Sequence, residues 1–182
     1  IEDLDGSFNL KAWQNGGKPP SAEIIAQLQK ENVTDWLMCN YDSHGGNFVL
    51  KNDGTLFGLD KEQAFRYITN PKAQTMSYTF HPNAYYGETE PVYNTLYRKF
   101  AKGEIDINLN DTLAYLKRVE AIPDAEYREI FRGYAEELHG KGNKAEQLLD
   151  MITARKNNAR AAFETFYSEL LTERNRKKTA FK

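Results

Sequence analysis

The chain has 182 residues, a formal net charge of −2 from 24 Lys and Arg against 26 Asp and Glu, and 40% apolar residues. That length suits one compact domain or one lobe of a larger one, and the apolar content excludes wholesale disorder. The charge balance gives no general case for nucleic-acid or membrane-surface binding, and a single cysteine, Cys39, excludes an intrachain disulfide and a four-cysteine zinc site.

The chain opens Ile1-Glu2-Asp3 without an initiator Met, which reads as a fragment or a processed piece. Residues 1–20 read as a linker or the remnant of a preceding region. They end in Asn15-Gly16-Gly17-Lys18-Pro19-Pro20, a loop because Gly and Pro punctuate regular structure. Ser21 then offers an N-cap, with Glu23 in the first turn. Ile24, Ile25, Leu28, Val33, Trp36 and Leu37 recur at helical spacing and predict one or two helices from Ala22 to about Cys39. Asp35 reads as a helix-surface acid, with a contact to the following loop as the alternative. Asn40 to Asn47 is polar and Gly-rich, hence a loop. Phe48-Val49-Leu50 and Leu56-Phe57-Gly58-Leu59 are short apolar runs, and Lys51-Asn52-Asp53-Gly54-Thr55 between them supplies the turn of a β-hairpin.

Residues 61–90 show no sustained period and carry Phe65, Tyr67, Tyr78, Phe80, Tyr85 and Tyr86, which predicts an ordered loop packed by its own rings. Helices follow. One runs from Val92 to Lys102 and is closed by Gly103. A second, capped by Asn110, runs from Asp111 to about Ala121. Pro123 sits in the first turn of a third, which ends at His139 before Gly140. A fourth opens at Asn143 and gathers Leu148, Leu149, Ile152, Ala159, Ala162, Phe163, Phe166, Tyr167 and Leu170 on one side. Glu173 to Lys182 reads as a fraying basic end. The expected fold class is α+β, mostly α, as a single unit over residues 1–182 with the loop and hairpin in 21–90 and a helical region in 91–182. No apolar run reaches the ~20 residues of a membrane span, and there is no signal-peptide pattern, so the expected location is cytoplasmic.

The chemistry concentrates in residues 35–65, in the order helix, polar loop, strand, turn, strand, acid. Asp42 and Asn47 lie five positions apart in the loop, and Asp60 follows Asn47 by thirteen, just past the second strand. Phosphoryl transfer needs one carboxylate to orient the attacking hydroxyl and oxygen ligands for Mg²⁺. A hairpin brings Asn47 and Asp60 to its open end, with Asp42 just before them. One acid and one amide there make a half-site that nucleotide phosphates complete.

Asn40-x-Asp42-x-His44-x-x-Asn47 followed by Asp60 resembles the catalytic loop and metal-binding segment of the protein-kinase-like superfamily. The nearest branch holds the phosphoinositide kinases, actin-fragmin kinase and HipA-type kinases. The resemblance implies Asp42 as catalytic acceptor, Asn47 and Asp60 as Mg²⁺ ligands, and Asn40 and His44 as residues that structure the loop. It also implies ATP as cofactor with Mg²⁺, and a C-terminal catalytic lobe whose N-terminal lobe lies elsewhere in a parent protein. Residues 65–86 then fall where an activation segment runs.

Three features depart from that pattern. Ser43 stands where the branch carries Arg, which removes a charge contact near the loop. Glu62 stands where Gly follows the metal-binding Asp. No Gly-rich loop or strand-borne Lys precedes residue 35, and Lys11 and Lys18 are poor substitutes. Two readings follow. One is an ATP- and Mg²⁺-dependent phosphotransferase acting on a protein, lipid or small-molecule hydroxyl. The other is a catalytically silent kinase-like lobe that serves as an interaction module.

Overall fold

The computed structural model describes residues 10–71 and 90–180, so Tyr78, Phe80, His81, Tyr85 and Tyr86 lie outside the described residues. A short helix α1 (Leu10–Gln14) precedes the helix expected after Ser21, α2 (Ala22–Leu37). The Ser21 hydroxyl accepts from the Ile24 N–H, which satisfies one of the donors that a helix start leaves open. A 3₁₀ turn (Gly45–Asn47) leads into β1 (Phe48–Leu50), which pairs antiparallel with β2 (Leu56–Gly58). In the register Val49 faces Phe57. Four helices complete the chain: α3 (Val92–Lys102), α4 (Leu109–Glu120), α5 (Asp124–His139) and α6 (Asn143–Ala180). The described protein is therefore mostly helical, with one two-stranded antiparallel sheet.

Two helix starts differ from expectation. Asn108, not Asn110, caps α4, because the Asn108 side chain accepts from the Asn110 N–H at 3.2 Å. Pro123 stands at the N-cap of α5, one place before its first turn. Gly103 ends α3 at φ 77°, the left-handed conformation that glycine adopts without penalty.

Helix α6 is the spine. Its 38 residues give it a length of about 57 Å. Its first half buries Ala145, Leu148, Leu149 and Ile152 against Cys39, Phe65, Tyr127 and Ala135. Its second half buries Ala159, Phe163, Phe166, Tyr167 and Leu170 against α2, α3 and α4. Phe163 meets Trp36 of α2 edge-on at 5.7 Å. A buried polar thread runs through this second cluster. Tyr97 donates to Asn32 at 2.8 Å, its hydroxyl lies 3.2 Å from that of Tyr167, and Tyr167 bonds Thr112 at 2.7 Å. Each buried hydroxyl thus has a partner, which is what makes its burial tolerable. The basic end does not fray before Ala180. Arg174 donates to the Phe100 and Ile105 carbonyls at 3.2 and 3.0 Å and pairs with Asp106, so α6 is tied to the end of α3. Among the described residues no helix is long and apolar enough to cross a membrane.

Candidate active site

The site begins where α2 stops. The Asn40 N–H bonds the Asp35 carbonyl at 2.8 Å and the Cys39 N–H bonds that of Trp36 at 3.0 Å, a Schellman ending. Such an ending places one residue in the left-handed region, and here that residue is Cys39 at φ 52°, fully buried. The reversal sends Asn40 to His44 back across the end of the helix. Val92, the first residue of α3, bonds the Ser43 carbonyl through its N–H at 2.8 Å. Gly45 donates to the Gln14 side chain at 2.8 Å. A Cβ on Gly45 would stand 2.5 Å from the Lys11 nitrogen, so the loop needs glycine to sit against α1. Residues 10–14 therefore form a helix docked on the loop, where a linker was expected.

Within the loop, His44 Nδ1 accepts from the Gly46 N–H at 3.1 Å and caps the 3₁₀ turn. Its other ring nitrogen, Nε2, then carries the proton and lies 3.9 Å from Asp42 Oδ1. Asn47 Nδ2 donates to the Asp42 carbonyl at 2.8 Å. That bond orients the amide and leaves Oδ1 without a partner among the described residues. Across the hairpin mouth the Leu59 N–H bonds the Asn47 carbonyl at 2.7 Å, which brings the following residue, Asp60, beside Asn47. Asp60 is exposed at φ 51°. Positive φ here falls on Asp60 and on Phe65, at 61°, and not on Glu62, so a non-glycine residue at 62 meets no backbone conflict. The chain thus gathers Asp42, Asn47 and Asp60 at one end of the hairpin, with Asn40 and His44 holding the loop.

The donor set suits Mg²⁺ in part. An amide oxygen and an exposed carboxylate are hard ligands, and Mg²⁺ ordinarily takes its remaining places from phosphates and water. Among the described residues no group of three or more His, Cys, Asp or Glu gathers as a metal site. Asn47 and Asp60 contribute one amide and one carboxylate to this end of the hairpin.

Asp35 is not the surface acid first expected; the alternative, a contact to the following loop, is what the structure shows. It is 1% exposed and its carboxylate accepts four side-chain hydrogen bonds. Asn40 Nδ2 and Lys61 Nζ reach Oδ1 at 3.0 and 2.6 Å, while the Ser43 and Tyr93 hydroxyls reach Oδ2 at 2.7 Å each. Lys61 is the cation on Asp35, and it also lies 3.7 Å from Glu31. Gly58 leaves room for this, since a Cβ there would stand 2.5 Å from Lys61 Nζ. Burial and the Asp35 carboxylate hold the Tyr93 phenol well above its usual range, so it remains a donor. Burial raises Glu31 as well, against the pull of Lys61. The sequence signal was spacing: Leu28, Asn32 and Asp35 follow one another by four and three, which puts Asp35 on the buried stripe of α2.

Beneath the loop, burial pushes the Cys39 thiol up despite the nearby Arg155. The Arg155 guanidinium of α6 stacks 3.9 Å above the Trp36 ring and bonds the Trp36 carbonyl, closing off the helix end on which the loop rests. No family model, curated protein or solved structure matches the chain.

Proposed function

We propose that this chain carries the catalytic half of an ATP- and Mg²⁺-dependent phosphotransferase that delivers a phosphoryl group to a hydroxyl on a protein, lipid or small molecule. The observation that carries the reading is the closed circuit at the hairpin mouth, in which Asn47 holds the Asp42 carbonyl and Leu59 holds Asn47. An acid, an amide and a second acid along that circuit support the reading of one group for the attacking hydroxyl and two for a cation. Asp42 orients the hydroxyl and takes its proton. Asn47 Oδ1 and the Asp60 carboxylate would hold Mg²⁺, which when bound would supply charge neutralisation for the transferring phosphoryl. His44 braces the loop and faces Asp42 with a donor. On this reading the remaining contacts to the triphosphate fall to a second lobe in a parent protein.

Thermal denaturation of the full-length gene product with ATP tests this. At a hundredfold excess over the dissociation constant, a ligand that binds only the native state stabilises it by about 2.7 kcal/mol. The expected result is a stabilisation by ATP that requires Mg²⁺ and disappears with chelator. No stabilisation, or one indifferent to Mg²⁺, contradicts the reading. Mg²⁺-dependent binding without transfer to any hydroxyl assigns the chain to the silent interaction module.

A further inference from the structure

We propose that Asp35 and Lys61 form a positioning pair that sets Asp60 and the Asp42 loop relative to one another; this rests on the phosphotransferase reading. The four donors on Asp35 come from three separate segments. Asn40 and Ser43 belong to the loop on either side of Asp42, Lys61 adjoins Asp60, and Tyr93 belongs to α3. One buried carboxylate therefore holds both halves of the site from behind. A network built only for core stability has no need to reach the residue next to Asp60.

Lys61 differs from the other three donors. Its side chain is 27% exposed, whereas Asn40, Ser43 and Tyr93 are buried. It enters from the solvent edge, past the bare Cα of Gly58, between Glu31 and Asp35. Asp60, just before it, sits at φ 51°, a conformation most residues avoid and that surrounding contacts must hold. The Glu62 N–H approaches Asp60 Oδ1 only at 3.5 Å, so local bonding at Asp60 is weak and the Lys61 anchor is the strong tie nearby. An ion pair that crosses between a loop and a metal-binding segment acts on the metal through orientation, and removing such outer contacts typically costs 10–100-fold in metal affinity or activity.

Lys61→Met keeps the length and removes the charge. Two measurements on it decide the matter: amide ¹H–¹⁵N shifts of the apo chain, and the Mg²⁺ concentration giving half-maximal turnover of the full-length gene product. The expected result is displaced amides at Asn47, Asp60 and Glu62, and a half-saturation raised ~10-fold or more. Leu28→Ala, a core change remote from the site, serves as the control for simple destabilisation. Asp35→Asn should include the Lys61→Met effects and exceed them, since it also disturbs the Asn40, Ser43 and Tyr93 bonds, and adding Lys61→Met to it should move the Asp60 and Glu62 amides little further. Unmoved amides at Asn47 and Asp60, or effects matched by Leu28→Ala at equal loss of Tm, overturn the proposal. A wild-type protein with no turnover but with the expected amide response keeps the coupling and overturns only the reading of the reaction.

Discussion

Asn47 donates its side-chain amide to the main-chain carbonyl of Asp42 at 2.8 Å, so the loop is closed on itself by the residue we propose as a cation ligand. The acid and the amide oxygen are thereby set as one unit, and a change at either end disturbs both.

Asp42→Asn preserves size and the backbone carbonyl that Asn47 uses, but removes the base. Steady-state kinetics of the full-length gene product should show kcat and kcat/KM falling together by ~10²–10⁴-fold, with ATP affinity nearly unchanged. His44→Gln should behave differently. It loses the Nδ1 acceptor that caps Gly46, so Tm and activity should fall in parallel. A silent Asp42→Asn beside an inactive, fully stable His44→Gln reverses the two roles.

Much of this architecture is legible in the residues. The hairpin follows from two apolar runs around Asp53-Gly54, and the Thr55 N–H bonds Asp53 as that turn chemistry requires. The span of α3 follows from Gly103. What escaped was long-range. Asp35 reads as an ordinary helix acid because its four partners lie 5, 8, 26 and 58 positions away. The docking of α1 escaped because five residues carry too little periodicity to register, and only Gly45 marks the contact. The order of the basic end of α6 escaped because Arg174 finds carbonyl partners at the end of α3 and just beyond it, which no local pattern shows.

Cys39 tests the Schellman ending. At φ 52° and no exposure, it tolerates neither a branch at Cβ nor extra volume. Cys39→Val should lower stability by ~1–3 kcal/mol, measured by urea denaturation. Burial raises its thiol pKa, so a thiol reagent at pH 8 should modify the native protein far more slowly than the urea-unfolded chain. Equal rates in both states contradict the packing described.

Glu31 supplies a pH test. Burial, opposed by Lys61, raises its pKa above the ordinary 4.5. A raised carboxyl pKa means the native state binds this proton more tightly than the unfolded chain does. Its contribution to stability is therefore fully present below about pH 4.5 and is lost as the pH rises through the native value. Glu31→Gln, which removes the charge, should raise Tm at pH 7, and the gain should vanish below pH 4.5. A fall in Tm at pH 7 contradicts this and makes the Lys61 attraction the larger effect.

The most direct test is transfer of the γ-phosphoryl group from ATP by the full-length gene product, wild type against Asp60→Ala, across a Mg²⁺ titration. Asp60 is exposed and makes one weak bond at 3.5 Å, so its removal leaves the packing of the hairpin intact. Wild-type turnover that rises with Mg²⁺ and is abolished in Asp60→Ala, with only the small loss of Tm that Ala at φ 51° entails, is the predicted result. Undiminished turnover in Asp60→Ala would contradict the assignment of the hairpin mouth as the metal half-site.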